Sequence, residues 1–503
     1  MILCYTVLIR KRKIFLTEEN KMIALNRQTV KDKIYACWLG KNIGGTMGTP
    51  YEGRTEMQDI QGFKTEPGVV LPNDDLDLQL VWLKAIENEG PYTLNEQILG
   101  EYWVSFIPPH WNEYGICKNN MSVGLIPPLS GNYENIWKHS NGAWIRTEVW
   151  ACMAPGCPDI AMKYARMDAC VDHGDGEGTY AAMFVAAIEA AAFVIHDLRK
   201  LIDLGLSKIP ADCHMARTIK VLLDCKDNGV GWKEARQLIV EDCADLGWFQ
   251  APANVAFAML GLLYGEGDFK QSMIYAIDCG DDTDCTGATL GSIFGILNGT
   301  AGIPKDWSAY LGDNIVSVAI DRGTLYGVPT TCTALTDRVF NMIPVMLKAN
   351  NANVYLSDND NIPEGDIEKY WNNSVANSLV AIPGNSVLTD FIWGECRVIY
   401  PEDPVLSADG NVKLKLVIRN KVNKLGNIPH QISLKWHLPE GWTVSGTKQN
   451  YVLQHQNRYN KPELVIECVV TAGTEVSATN RLILEITAPS RPTAGLVPVV
   501  ILG

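Results

Sequence analysis

Two short runs of the sequence concentrate oxygen ligands: Asn73-Asp74-Asp75-Leu76-Asp77 and Asp281-Asp282-Thr283-Asp284. Acids at the start of a helix cap its free amides and complement its dipole, which accounts for either run taken alone. Two such runs in one chain change that balance. Carboxylates packed into a loop repel one another, and a hard cation such as Mg²⁺ or Ca²⁺, bound through oxygen, relieves that repulsion. Asn73 and Thr283 supply further oxygens, and no His-rich or Cys-rich set suited to zinc accompanies them. A third segment, Gly40 to Glu52, is rich in glycine and ends in an acid, but it has neither the P-loop nor the dinucleotide-fold spacing. Taken alone it reads as a helix break.

These residues need rigid supports. After the second acidic run, Gly287, Gly291 and Gly295 recur every four residues, so a helix there presents one bare face on which another backbone can rest. The acidic loop ahead of it then sits on a fixed platform. From residue 29 to 348 the apolar residues recur at helical spacing, as in Leu76, Leu80, Leu83 and Ile86, which predicts an all-α domain. Residues 349–375 are rich in Asn and Asp, with Pro363 and Gly365, and read as a linker. From 376 to 503 the period becomes two, for example Val412, Leu414, Leu416 and Ile418 alternating with polar residues. Short alternating runs between turn residues predict a β-sandwich of immunoglobulin-like size.

Composition narrows the function classes. The 503 residues carry a net charge of -14, and residues 376–503 are close to neutral, so the excess acid lies in the helical part. That sign disfavours nucleic acid and anionic membranes as partners. No apolar run is long enough to span a bilayer. The N-terminus places its apolar residues, Met1 to Leu8, before Lys11, Arg12 and Lys13, the reverse of a secretory signal. Residues 1–28 read as an extension, with Met22 an alternative start. The 14 cysteines include no Cys-x-x-Cys pair and read as buried free thiols of a cytoplasmic protein.

The ordered set of motifs resembles the ADP-ribosylglycohydrolase family, of which the dinitrogenase reductase activating glycohydrolases are members. Gly44 to Glu52 resembles its glycine-rich first motif ending in an acid, and Asn73-Asp74-Asp75 its Thr/Ser-Asp-Asp motif. Asn141 to Arg146 resembles a substrate-side segment, Asp172 to Glu177 a His-containing helix start, and Asp282-Thr283-Asp284-Cys285 the Asp-Thr-Asp-Thr motif with its downstream glycines. The resemblance covers about residues 30–345 and implies an all-helical hydrolase that holds two Mg²⁺ ions and cleaves a glycosidic bond of ADP-ribose at C1″.

Carried over position by position, it implies Asn73, Asp74, Asp75, Asp282, Asp284 and Cys285 around the metals. Glu52 and Asp75 become the catalytic carboxylates, and Gly48, Asn141, His173 and Asp175 the substrate contacts. Asp77 and Asp281 become outer acids, and Arg146 a candidate phosphate ligand. Asn73 and Cys285 depart from the hydroxyl residues the family places there, and Asp281 replaces a glycine. A thiol is a poor ligand for Mg²⁺, so the second ion is expected to bind more weakly, through backbone or water, or to be Mn²⁺.

The substrate implied is a small molecule or an ADP-ribosylated protein. Two alternatives stay open on the same fold: a glycoside or nucleoside hydrolase of bacterial sugar catabolism, and a binding protein for ADP-ribose or sugar that has lost turnover. The Leu438-Pro439-Glu440-Gly441-Trp442 stretch, which resembles a turn in the sandwich modules of bacterial carbohydrate-active enzymes, leans toward the sugar reading.

Overall fold

The computed structural model describes residues 22–503 apart from 322, 364–366, 368–370, 372, 409, 422–429, 455–462 and 490. The apolar and basic run ending at Lys13 lies outside them, as does Gly365. A helical domain comes first and a two-sheet antiparallel sandwich after it, the order that the change of hydrophobic period predicts.

Eight helices carry or brace the site: α1 (Arg27–Gly48), α2 (Asp74–Glu89), α3 (Asn112–Ser122), α4 (Pro158–His173), α5 (Glu177–Ala191), α6 (Ala251–Tyr264), α7 (Thr283–Asn298) and α8 (Cys332–Ala349). Their starts follow local chemistry. Asn26 caps α1 by accepting from the Gln28 and Thr29 amides, and Asn73 caps α2 by accepting from Asp75 N at 2.7 Å. Asp74, Asp75 and Asp77 then occupy the first turn of α2, where the helix dipole favours negative charge. Most of α2 and α7 is buried, so neither shows a polar outer stripe; both run through the centre of the domain. Trp38, Trp82, Trp103, Trp144 and Trp150 are fully buried in the same core.

The closest helix pair is α1 with α7. A Cβ added at Gly40 would lie 2.1 Å from Gly291 O, one at Gly44 2.0 Å from Gly287 O, and one at Gly48 2.3 Å from Thr283 O. Backbone therefore meets backbone along the whole seam, and only hydrogen in place of Cβ permits it. Gly45 serves a different neighbour, since a Cβ there would strike Asn73 Nδ2 at 2.0 Å.

Strand β1 (Ile23–Asn26) enters α1 and pairs in parallel with β2 (Val354–Ser357), which lies in the stretch read as a linker. The sandwich comprises β3 (Ser386–Phe391), β4 (Gly394–Ile399), β5 (Asn411–Asn420), β6 (His430–His437), β7 (Thr443–Ser445), β8 (Asn450–Leu453), β9 (Leu464–Thr471), β10 (Thr479–Thr487) and β11 (Gly495–Leu502). One sheet has the order β3-β4-β5-β9-β7 and the other β11-β10-β6-β8. Val412, Leu414, Leu416 and Ile418 face the shared core with Leu482, Leu484 and Ile486, as the alternation predicts. Leu125 and Leu129 of the helical domain are buried in that same cluster, and Thr479 Oγ1 donates to Val123 O at 3.0 Å.

All described cysteines are buried and free, and among the described residues no helix is long and apolar enough to cross a membrane.

The α1–α7 seam gives a direct test. Gly44→Ala or Gly291→Ala must force the helices apart, and we expect a loss of about 2 kcal/mol or more, or failure to fold, by thermal and urea unfolding. Gly231→Ser, at a helix N-cap where nothing lies within 4 Å of the new Cβ, should leave stability unchanged or slightly raised.

Candidate active site

The end of α1 and the start of α7 place an acid from each side at one spot. After α1 the chain turns through Thr49–Tyr51 to Glu52, where two backbone bonds bind it to the acidic loop: Gly53 N donates to Asp281 O at 2.9 Å, and Asp281 N to Arg54 O at 2.7 Å. Thr283 Oγ1 adds a bond to Gly48 O at 2.9 Å. Asp282 occupies the N-cap position of α7, yet its side chain makes no capping bond there. Its Oδ2 accepts instead from Asn141 Nδ2 at 2.6 Å, which leaves the other oxygen for the site.

The resulting cavity, of about 580 Å³, is lined by Glu52, Asp74, Asp282, Asp284, Cys285 and Asn141, all singled out in the sequence. Asp75 lies fully buried beneath it, with Cys285 Sγ donating to its Oδ1 at 3.3 Å. Two triplets emerge, Asp75–Asp284–Cys285 and Glu52–Asp282–Asp284, and within each the ligand atoms lie no more than 4.8 Å apart. Asp284 belongs to both. Asp75 Oδ2, Asp282 Oδ1 and Asp284 Oδ1 are buried without a hydrogen-bond partner among the described residues. Buried carboxylate oxygens are costly unless paired, and a cluster of them fits an oxygen-seeking divalent cation.

Electrostatics agree with the geometry. Repulsion from Asp284, then burial, pushes the exposed Glu52 carboxyl up to about 8. Burial, then Asp284, raises Asp74 to about 6, against the opposing bond from Tyr114 Oη at 3.0 Å. Burial also drives Asp75 and Asp282 well above the usual carboxylate range. The Cys285 thiol is pushed up by burial and by Asp282, so it stays protonated and acts as a donor to Asp75. Behind Asp75, the buried Lys41 ammonium donates to Glu148 Oε1 at 2.6 Å and to Ile145 O at 2.8 Å. Burial favours the neutral amine, but Glu148 and Asp75 outweigh it and hold the charge.

Other residues singled out in the sequence do not reach the cavity. Asn73 is a helix cap, and Gly48 is a packing contact on α7. His173 is buried, 3.0 Å from Asp172 and 3.2 Å from Ser140 Oγ. Asp175 faces the sandwich, where it accepts from Gly384 N and pairs with Lys138 at 3.5 Å. Arg146 is fully buried and held by Asp168 and Asp172 at 2.9 and 2.8 Å, which leaves no fork for a phosphate. Asp77 accepts from the Val318 and Ala319 amides, fixing a segment whose Val318 does line the cavity. Asp281 sits at φ 69°, a left-handed conformation that favours glycine, and its carboxylate accepts from Phe249 N at 2.9 Å.

The cavity also gathers residues that the motif reading passed over: His110, Trp111, Asn112, Glu113 and Tyr114 at the start of α3, and Trp248 and Phe249 before α6. The only available signal was the His-Trp-Asn-Glu-Tyr run at 110–114 and the paired aromatics Trp248-Phe249, and no spacing rule marks either as a site segment.

The family model described as ADP-ribosylglycohydrolase matches residues 26–342. A solved structure described as an ADP-ribosylglycohydrolase-related protein complex is 20% identical, with a TM-score of 0.44 over 63% of this chain and 99% of that chain. No curated protein matches the chain.

The raised carboxyls predict a pH effect with a definite sign. Asp74 and Glu52 hold protons in the folded state that the unfolded chain releases near 3.8 and 4.5, so metal-free stability falls as pH rises from there through about 6 and about 8. Millimolar Mg²⁺ or Mn²⁺ should therefore raise Tm more at pH 8 than at pH 5. Asp284→Asn should raise the metal-free Tm at pH 8 and abolish the response to the ion. Equal metal responses at both pH values would contradict this account of the cluster.

Proposed function

Because the chain belongs to the ADP-ribosylglycohydrolase family and is a hydrolase of glycosidic bonds, we propose that it cleaves an ADP-ribosyl or related ribosyl or furanosyl bond in the cavity between Glu52 and Asp284, with a pair of Mg²⁺ ions as cofactor. The observation that carries this reading is Asp284, shared by the Asp75–Asp284–Cys285 and Glu52–Asp282–Asp284 triplets, with buried oxygens of Asp75, Asp282 and Asp284 lacking partners among the described residues. Asp74, Asp75, Asp282 and Asp284 would hold the cations, with Cys285 orienting Asp75 as a thiol donor rather than serving as a ligand. Bound divalent cations would supply Lewis acidity toward the sugar hydroxyls and toward water.

The chain's own residues do the rest. Asn141 and Tyr114 fix Asp282 and Asp74 through one hydrogen bond each, so the acids stay oriented despite their mutual repulsion. Lys41 supplies positive charge from below and lowers the cost of the buried Asp75 carboxylate. Glu52, at the rim of the cavity beside Asp282 and Asp284, is the group suited to give and take a proton at the scissile bond. Glycosidic cleavage develops positive charge on the sugar, and the surrounding carboxylates favour that charge. The buried free thiols support a reducing, cytoplasmic setting.

The experiment is hydrolysis of a panel of ADP-ribosyl, ribosyl and furanosyl substrates in Mg²⁺ and in Mn²⁺. Glu52→Gln should lower kcat by about 100-fold or more while the metal-induced rise in Tm persists. Asp75→Ala and Asp284→Ala should lose both. Full activity in Glu52→Gln would remove it from the mechanism, and ligand binding without turnover in either metal would convert the proposal to a binding protein.

A further inference from the structure

We propose that Lys118, a residue outside the cavity, positions one of its walls and thereby sets how tightly substrate is held. The inference rests on the glycohydrolase reading above and adds a positioning residue to it. His110, Trp111 and Asn112 line the cavity from the segment that joins the helix Glu96–Phe106 to α3. That segment has little of its own to hold its shape. Pro108 and Pro109 have no N–H, and among the described residues no amide from His110 to Asn112 donates to a backbone carbonyl. Asn112 sits at φ 34°, a left-handed conformation that a residue other than glycine keeps only where the surroundings over-determine it. Trp111 is 48% exposed, so packing alone does not fix where its ring stands.

Lys118 supplies the missing constraint. From within α3 its ammonium donates to Ile107 O and to Pro108 O, each at 2.9 Å, and to Pro109 O. An ammonium carries three N–H donors, so all of them are spent on three consecutive carbonyls. Those carbonyls follow a helix end, where no further turn of helix supplies amides to meet them. Lys118 is 8% exposed, which shields the clip from competing water.

Two contacts hold the segment from other sides. Asp321 N donates to Phe106 O at 3.0 Å, just ahead of it. Gly115 lies so near that an added Cβ would stand 2.7 Å from His110 O. Beyond the clip, the rings of Trp111 and Tyr114 lie 6.1 Å apart, and Tyr114 Oη donates to Asp74. The wall is thus set in register with the acids, and Lys118 fixes it while lining no part of the cavity.

Steady-state kinetics of the full chain, on the fastest substrate of the ADP-ribosyl, ribosyl and furanosyl panel, separates positioning from folding. Lys118→Met should raise KM about tenfold or more, with kcat within about threefold of the parent and the Mg²⁺-induced rise in Tm retained. Lys118→Arg, which keeps the charge and the N–H donors, should bring KM back to within about threefold. Gly115→Ala pushes the segment from α3 with Lys118 in place, and should raise KM at least about threefold. Chymotrypsin should cut after Trp111 faster in Lys118→Met than in the parent. If Lys118→Met does not fold, Gly115→Ala decides. A lower Tm with unchanged KM, or a loss confined to kcat, overturns the positioning role and leaves the hydrolase reading standing. Absence of turnover on every panel substrate in both metals overturns the hydrolase reading and this inference with it.

Discussion

Contact between two backbones organises this protein. Helices α1 and α7 lie so close that Gly40, Gly44 and Gly48 on one, and Gly287 and Gly291 on the other, have no room for a Cβ. Glu52 follows the end of α1 and Asp282 precedes the start of α7, so the seam delivers two acids from distant parts of the chain to one place. The paired amides of Gly53 and Asp281 then lock their loops together. A wider interhelical distance would carry the acids apart, so the glycines set the geometry of the site without lining it.

The site that results is electrostatically expensive, and the surroundings show how the fold tolerates it. Asp75 and Asp282 are fully buried, yet each has a partner on one oxygen only: Cys285 for the first, Asn141 for the second. Lys41 sits under Asp75 and is itself balanced by Glu148, which accepts from Gln79 through its other oxygen at 2.8 Å. Lys41 thus offsets part of the buried negative charge beneath the cavity. The compensation is partial, and the remaining strain is the affinity that a cation would collect.

Much of this was legible in the sequence. The switch from helical to alternating period marked the helical part and the sandwich, and the four-residue glycine spacing marked a bare helix face. Asp74, Asp282 and Asp284 were readable as site residues because two acid-rich loops before helices point beyond capping, and Glu52, Cys285 and Asn141 were read there through the family resemblance. Gly48, His173 and Asp175 were read as substrate contacts and Asn73 as a metal residue by position in a motif, and the fold uses them for packing, capping and domain contact. Motif position does not encode where a side chain points. The α3 start and the Trp248 loop were not legible, since their contribution depends on tertiary placement, including a left-handed Phe249 that no local propensity forecasts.

Leu125 and Leu129 reach out of the helical domain and are buried among the sandwich strands. The helical domain and the sandwich keep separate hydrophobic clusters, but that of the sandwich is completed by these two leucines from the helical part. A relative that lacks the sandwich must present different chemistry at the 123–133 segment, and the polarity of that short stretch offers a way to recognise, from sequence alone, which members of the family carry such a companion.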